Sequence, residues 1–434
     1  MMLEDYLQRN AKLFPDKIAV ICGDKSYTYR QLAKRVNECA AGLSVKDKLV
    51  PFRSSPSIDF PVTYFSIHQA GGICVPLEKD LPDKQFEEYQ ERFKDAVVPS
   101  GTADVLFTTG TTGKSKGVMV SHQAILADAE NLIDSQGYHP DLTFLINGPL
   151  NHIGSLSKIY PTILVGGTIR IIDGMKDLNA FFQAIDDAPS HVATFLVPAS
   201  IRMLLAFSAN RLAICQDKIE FIETGAAPIS LSDMERLCQI LPKSRLYNTY
   251  ASTETGIIAT YDYNNNECLA GCLGKPMRHS SLFITEKGNI ACQGDTLMTG
   301  YLGDEDLTVS ILRDGTLYTA DLGEIDEEGR LRLRGRDGDI INVGGYKVVP
   351  TEVEDAASAI PSVKECVCIP SHHPVLGTIL KLLVVLHEGY TLDKRALALA
   401  LREKLEAYKV PMQYEQVDYV KRTFNGKIDR KAYN

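Results

Sequence analysis

No apolar run in the 434 residues reaches the roughly 18–20 needed to cross a bilayer. Met1 to Asn10 carries three charges and no apolar core, so a secretory leader is not expected and a cytoplasmic location is. Positive charge is also in short supply. Lys plus Arg is 46 against 55 for Asp plus Glu, a net charge of -9, which argues against general nucleic-acid binding but not against a local basic site. There is no internal repeat and no low-complexity tract. Nor do the ten cysteines make a zinc framework. The close pairs are Cys268/Cys272, beside an Asn-rich turn, and Cys366/Cys368, inside a strand-like run, so free thiols are expected.

What is present is an ordinary globular composition, 44% hydrophobic and 23% charged, on a chain long enough for two or three domains. Residues 1–100 alternate amphipathic helix and short strand. Leu32, Val36 and Leu43 mark a helical stripe, and Gly71 to Pro76 reads as a turn feeding a buried strand. From 100 to 260 apolar runs recur at Val105–Phe107, Phe144–Ile146, Thr168–Ile172, Val192–Val197, Phe221–Glu223 and Arg245–Tyr247. Helical stretches separate several of them, one with Ser232 and Glu235 at capping-box spacing. Strands alternating with helices predict an α/β fold with helices on the faces of its sheets.

Short strands and glycine-rich turns between 271 and 335 predict a small β subdomain. After Gly335 the order becomes helix (Glu352–Ala359), strand (Cys366–Ile369), strand (Lys381–Leu386), helix (Asp393–Tyr408) and a last strand at Val417–Val420. The polar, glycine-rich Gly335-Arg336-Asp337-Gly338-Asp339 is the expected linker. It divides a large domain, 1–336, from a small α+β lid, 337–434.

The densest chemical signal is Thr108-Thr109-Gly110-Thr111-Thr112-Gly113-Lys114-Ser115-Lys116-Gly117, directly after Val105-Leu106-Phe107. Four threonines, three glycines and two lysines in ten residues suit an anion: glycines turn N–H groups inward, hydroxyls add donors, and lysines add charge. A Walker loop would require glycine five positions before Gly113, where Thr108 stands, and an aspartate on a nearby strand.

At this loop the sequence resembles the adenylate-forming superfamily of acyl- and aryl-CoA synthetases, peptide-synthetase adenylation domains and luciferases. Its loop ends in Pro-Lys-Gly; here Ser115 takes the proline position, and Lys116-Gly117 match. Five further motifs follow in order. Gly225-Ala226-Ala227-Pro228 resembles the adenine-flanking loop, and Tyr250-Ala251-Ser252-Thr253-Glu254 the Tyr-Gly-x-Thr-Glu motif. Thr319-Ala320-Asp321 is similar to the Thr-Gly-Asp segment, with alanine replacing glycine. Gly335 to Ile341 is similar to the hinge, with Gly338 where Asp or Lys is usual. Asn425-Gly426-Lys427-Ile428-Asp429-Arg430 resembles the terminal lysine motif.

The resemblance implies a large domain of packed α/β sheets with a mobile lid. It also implies an activity: a carboxylate attacks the α-phosphorus of ATP to give an acyl-adenylate and pyrophosphate, and a thiol then attacks the adenylate. Two anions must be brought together, so neutralisation and positioning dominate.

The roles it implies can be assigned residue by residue. Thr108, Thr109, Gly110, Thr111, Thr112, Gly113 and Lys116 would hold the β- and γ-phosphates. Thr253 and Glu254 would reach the α-phosphate, with Glu254 on Mg2+. Gly225, Ala226 and Ala227 would flank adenine and Tyr250 would stack on it. Asp321 would bind the ribose hydroxyls, and Arg336 the ribose or phosphate. Lys427 would bridge carboxylate and α-phosphate as the principal catalytic group, and Gly344 and Gly345 would line the thiol tunnel once the lid swings.

His152 and Ile153 would line the acyl pocket. Amino-acid-activating relatives carry an aspartate where Ile153 stands, and a buried ammonium without a counter-ion is costly, so an aliphatic or aromatic acid without an α-amine is expected. The segment and the size are similar to succinylbenzoate-CoA ligases and to short-chain acyl or aryl ligases. Coenzyme A is the expected acceptor. The alternatives are a carrier protein's phosphopantetheine arm, or a catalytically silent nucleotide-binding scaffold.

Overall fold

The computed structural model describes all residues except 95, 110–114, 344, 345, 375, 424–427 and 434, together with the side chains of 109 and 431. The largest sheet begins with six parallel strands. In spatial order they are Ile18–Cys22, Thr168–Ile171, Leu142–Ile146, His191–Leu196, Ile219–Thr224 and Arg245–Ser252, with Lys25–Thr28 antiparallel on the outer edge. The interior strand Leu142–Ile146 is buried at every position, as its unbroken apolar run requires when helices cover both faces. Phe144 stacks on Tyr138 at 5.6 Å and meets Phe221 edge-on at 6.2 Å, contacts of about 0.5–1.5 kcal/mol each beyond the burial itself.

The sheet changes character at residues 253–255. There a turn folds Arg245–Ser252 back onto Gly256–Asp262, and every later pairing is antiparallel: Cys272–Pro276, Leu331–Arg336, Thr316–Ile325, Asn289–Gly294 and Ser280–Ile284. The β-rich region read at 271–335 therefore continues the main sheet, because Lys275 and Pro276 pair with Thr260 and Ala259. A second sheet has the order Gly300–Tyr301, Ser115–Ser121, Thr102–Thr109, Ile73–Leu77, Leu49–Arg53. Helix His122–Gln136 packs between the two sheets. Ser121 caps its start by accepting from the Ala124 N–H at 3.0 Å, and Gly137 ends it in the left-handed conformation.

The last hundred residues build their own core. Antiparallel Val363–His373 and Gly377–Leu386, with Gln413–Gln416 parallel to the latter, pack under helices Pro350–Ser358 and Lys394–Arg402 around Val353, Cys368, Leu382, Val384 and Leu401. The final strand lies at 413–416 rather than 417–420: Tyr414 enters the core, while Asp418 and Tyr419 of the proposed run are exposed. The second helix also ends early, at Arg402, giving way to a 3-10 turn at Ala407–Lys409.

Two smaller readings also shift. The helix Leu231–Ile240 is capped by Ser230, whose hydroxyl accepts from the Asp233 N–H, so Ser232 lies one residue inside it. Leu32 and Val36 are buried on helix Tyr29–Ala41, but Leu43 lies past its end, 38% exposed. All ten cysteines are free. Cys268 has Cys238, not Cys272, as its neighbour, with the sulfurs 3.6 Å apart. Among the described residues no helix is long and apolar enough to cross a membrane.

Candidate functional site

The carboxyl ends of the parallel strands open on one side of the sheet, where α/β folds bind ligands. Leu142–Ile146 leads to His152 and Ile153, Ile219–Thr224 to Gly225, Ala226 and Ala227, and Arg245–Ser252 to Thr253 and Glu254. The second sheet brings up the anion loop. Its two arms are a hairpin in which Thr108 pairs with Lys116 and Thr109 with Ser115. The tip, with Gly110, Thr111, Thr112 and Gly113, lies outside the described residues, as do Gly344, Gly345 and Lys427.

Two polar groupings assemble among the described residues. In the first, the Lys116 ammonium sits 5.3 Å from the centre of the Tyr301 ring, and the Tyr301 hydroxyl donates to Glu254 Oε1 at 3.0 Å. Burial, then the nearby Glu254 charge, raises the Tyr301 phenol above its ordinary range, so it remains a donor. The backbone holds the same three residues together. Met298 N–H donates to the Glu254 carbonyl, and Tyr301 pairs with Val118, two residues from Lys116. Sequence reasoning missed Tyr301. No motif contains it, and only the strand pairing of residues 300–301 with 118–119 brings it here.

In the second grouping, Tyr250 Oη donates to Asp321 Oδ2 at 2.9 Å, and Arg336 Nε lies 3.1 Å from Asp321 Oδ1. Thr319 Oγ1 accepts the Asp321 N–H at 3.1 Å and fixes its backbone. Tyr250 is 6% exposed. Burial, then the Asp321 charge, raises its phenol well above the ordinary value. Its hydroxyl thus orients the carboxylate. Arg336 ends strand Leu331–Arg336, and Gly338 follows in a 3-10 turn with open space around it.

The turn bearing Thr253 and Glu254 is pinned by its neighbours. Ser252 Oγ and Thr255 Oγ1 lie 3.0 Å apart, and each accepts the other residue's N–H at 3.0 Å. At Gly225 a Cβ would meet the Thr249 carbonyl oxygen at 2.8 Å, so only glycine lets the loop lie this close to the next strand. Ala226 adopts a φ of 65°, a strained conformation for a residue with a Cβ.

Little space is left around Gly154 and Gly225. The Phe195 ring stands 3.1 Å from where a Cβ on Gly154 would lie and 3.6 Å from one on Gly225. His152 precedes the short helix Ile153–Leu156, and Ile153 packs against the main core. Behind Phe195, Lys158 and Glu223 form an ion pair, each 1% exposed, with the ammonium within 2.8 Å of both carboxylate oxygens.

The terminal motif is anchored by Arg430, a residue in it that was given no role. Arg430 makes a two-pronged pair with Glu354, at 2.6 and 2.7 Å. Its Nη1 also donates to the Cys368 carbonyl at 2.9 Å, and its Nε lies 3.5 Å from Asp339 in the 3-10 turn Asp337–Asp339.

Comparisons with known proteins bear on the family and the fold. The model of the AMP-binding enzyme family matches residues 7–98 and 83–302, and that of the AMP-binding enzyme C-terminal domain matches 352–427. The chain is 26% identical to an indoleacetate–CoA ligase of Aromatoleum aromaticum over 99% of its own length and 96% of that protein's. ATP-bound MatB from Rhodopseudomonas palustris superposes with a TM-score of 0.85 at 23% identity, covering 100% of this chain and 99% of the other. The o-succinylbenzoate CoA synthetase of Bacillus subtilis, in complex with its acyl-adenylate, superposes at 0.84 and 23% identity, covering 99% and 97%.

Proposed function

The chain belongs to the AMP-binding enzyme family, and from that premise we propose that it is an AMP-forming acid–thiol ligase with coenzyme A as acceptor. The observation that carries the proposal is that two groupings, Lys116–Tyr301–Glu254 and Tyr250–Asp321–Arg336, are held by Tyr250 and Glu254, four residues apart at the end of one strand. One grouping offers a cation and a hard carboxylate for a polyphosphate. The other offers a carboxylate acceptor flanked by a guanidinium, which suits a ribose.

In this reading Thr108, Lys116 and the loop tip hold the β- and γ-phosphates, and Thr253 donates to the α-phosphate. Glu254 accepts from Tyr301 through one oxygen, and its carboxylate is a donor type that fits Mg2+. When bound, that ion supplies charge neutralisation on phosphate oxygens. Asp321, held by Tyr250 and Thr319, accepts from the ribose hydroxyls. Lys427 enters from the 337–434 lid, whose border we place at the Arg336–Asp337 step. The gain over water comes from fixed charges and alignment of two anions in place.

The acid is a slim carboxylic acid without an α-amine. Phe195 fills the space between Gly154 and Gly225, and no carboxylate stands at Ile153 to pair an ammonium. Mass spectrometry of an incubation with ATP, Mg2+, coenzyme A and a graded set of acids tests this. Acyl-CoA from short or flat acids is expected. Acyl-adenylate without thioester would move the acceptor to a carrier protein's phosphopantetheine arm. ATP left unconsumed across the set would favour the nucleotide-binding scaffold.

A further inference from the structure

A second constellation of buried ionisable groups lies well away from the nucleotide residues. Asp104, on strand Thr102–Thr109, is four residues from Thr108, about 13 Å along a strand. It is wholly buried and accepts from Tyr64 Oη at 2.7 Å and Tyr160 Oη at 3.3 Å, and its Oδ1 lies 2.9 Å from His68 Nε2. That contact occupies one nitrogen of His68 and turns the other, Nδ1, toward helices Leu3–Leu13 and His122–Gln136. Glu4 and His122 meet it there, one from the first turn of each helix.

Each of the three residues offers a ligand atom within 4.8 Å of those of the other two. Glu4 Oε2, His68 Nδ1 and His122 Nδ1 are all buried, and among the described residues none has a hydrogen-bond partner. Three buried polar atoms left without partners and facing one another are a costly arrangement. The charge balance points the same way. Glu4 and Asp104 are 7% and 0% exposed, and among the described residues the ion-pair partner of Asp104 is His68, with no lysine or arginine beside Glu4.

We propose that Glu4, His68 and His122 form a zinc site, with Asp104 as the carboxylate that orients His68. Two imidazoles and one carboxylate are a donor set suited to zinc, and a carboxylate on the far nitrogen of a ligating histidine is the usual outer partner. The dication balances the two buried carboxylates and satisfies the three orphaned atoms, which it would draw to about 3.4 Å of one another. Its role is structural. It ties three helices contributed by residues 3–13, 59–69 and 122–136 to the second sheet, beneath the strand that carries the anion loop.

The test is metal analysis of the full chain purified without chelators, then replacement of the bound ion by Co2+ and measurement of the visible spectrum. Close to one zinc per chain is expected, with intense d–d bands from a four-coordinate Co2+ site completed by water. In His122→Ala and in Glu4→Gln the zinc content falls by about tenfold or more, and the bands are lost. Glu4→Gln keeps the side-chain volume, so it carries the test if the alanine variant does not fold. A folded, metal-free chain that takes up no Co2+ would overturn the site, leaving an ordered water or a shared proton in its place. Equal metal content in wild type and both variants would overturn it too.

Discussion

Replacing Glu354 with alanine probes whether the terminal lysine motif depends on a buried anchor. Glu354 is 7% exposed and accepts both prongs of the Arg430 guanidinium at 2.6 and 2.7 Å. Its Oε1 also accepts the Cys368 N–H at 2.7 Å. The substitution leaves a guanidinium with a side-chain exposure of 17% facing a void, and a strand N–H with no acceptor. Removing one partner of a buried pair costs about 3–5 kcal/mol, and the stranded N–H lies within that figure rather than adding fully to it, so about 4 kcal/mol is expected.

The loss should fall on the small domain, because Cys366, Cys368 and Val353 belong to its own core. Calorimetry should therefore show its transition moving down in temperature while the large-domain transition holds. Hydrogen exchange in Val363–His373 should accelerate in parallel. Arg430 stands three residues after Lys427, so adenylate formation should fall on the order of 100-fold through misplacement of the lysine, with ATP binding to the large domain retained. The double variant Glu354→Leu/Arg430→Met should recover most of the stability, since an apolar pair of similar volume often replaces a buried ion pair without loss. A single variant within about 1 kcal/mol of wild type, or a double variant as unstable as the single, would refute the reasoning.

Further outcomes follow from other contacts. Tyr301→Phe removes the hydrogen bond to Glu254, worth about 1.5–3 kcal/mol to a charged acceptor, so the thermal midpoint should fall and kcat for adenylation should drop by about 10-fold or more; calorimetry and pyrophosphate release measure these. Phe195→Ala should shift kcat/KM toward bulkier acids by about 10–200-fold in competition assays, with no gain for the slim ones. Burial pushes Asp128 up from 3.8 to about 7, where it accepts the Ile257 N–H at 2.7 Å. A carboxyl that holds its proton more tightly folded than unfolded stabilises the fold fully below about pH 4, and this contribution declines as pH rises through about 7. Thermal midpoints measured from pH 4 to 8 should carry this decline in wild type, at most on the order of 4 kcal/mol, and lose it in Asp128→Asn.

Strand positions were legible where apolar runs were long and buried on both faces, as at Phe144–Ile146 and Phe221–Glu223, because such runs have few other stable placements. The borders in the last hundred residues were not. Val417 and Val420 look as strand-like as Tyr414, and only the parallel pairing of Gln413–Gln416 with Lys381–Val384 selects the earlier segment. The β-rich stretch 271–335 reads as separate because its turns are local, yet its attachment is a long-range pairing with Thr260 that no local pattern encodes.

The candidate site divides along the same line. Residues within a short motif, such as Thr253 with Glu254, could be named from that motif's resemblance to the family's. Those that act by meeting a motif from elsewhere in the chain could not. Tyr301 reaches Glu254 through a two-residue strand pair, Phe195 reaches Gly154 across the sheet, and Glu354 reaches Arg430 over 76 residues. The zinc proposal belongs with these. Glu4, His68 and His122 have no ligand spacing to read, and each is unremarkable where it stands: an acid in a first helical turn, an imidazole in a last one, a polar residue after a cap. Their chemistry exists only once three helices have packed, so the fold must form before the site can be seen.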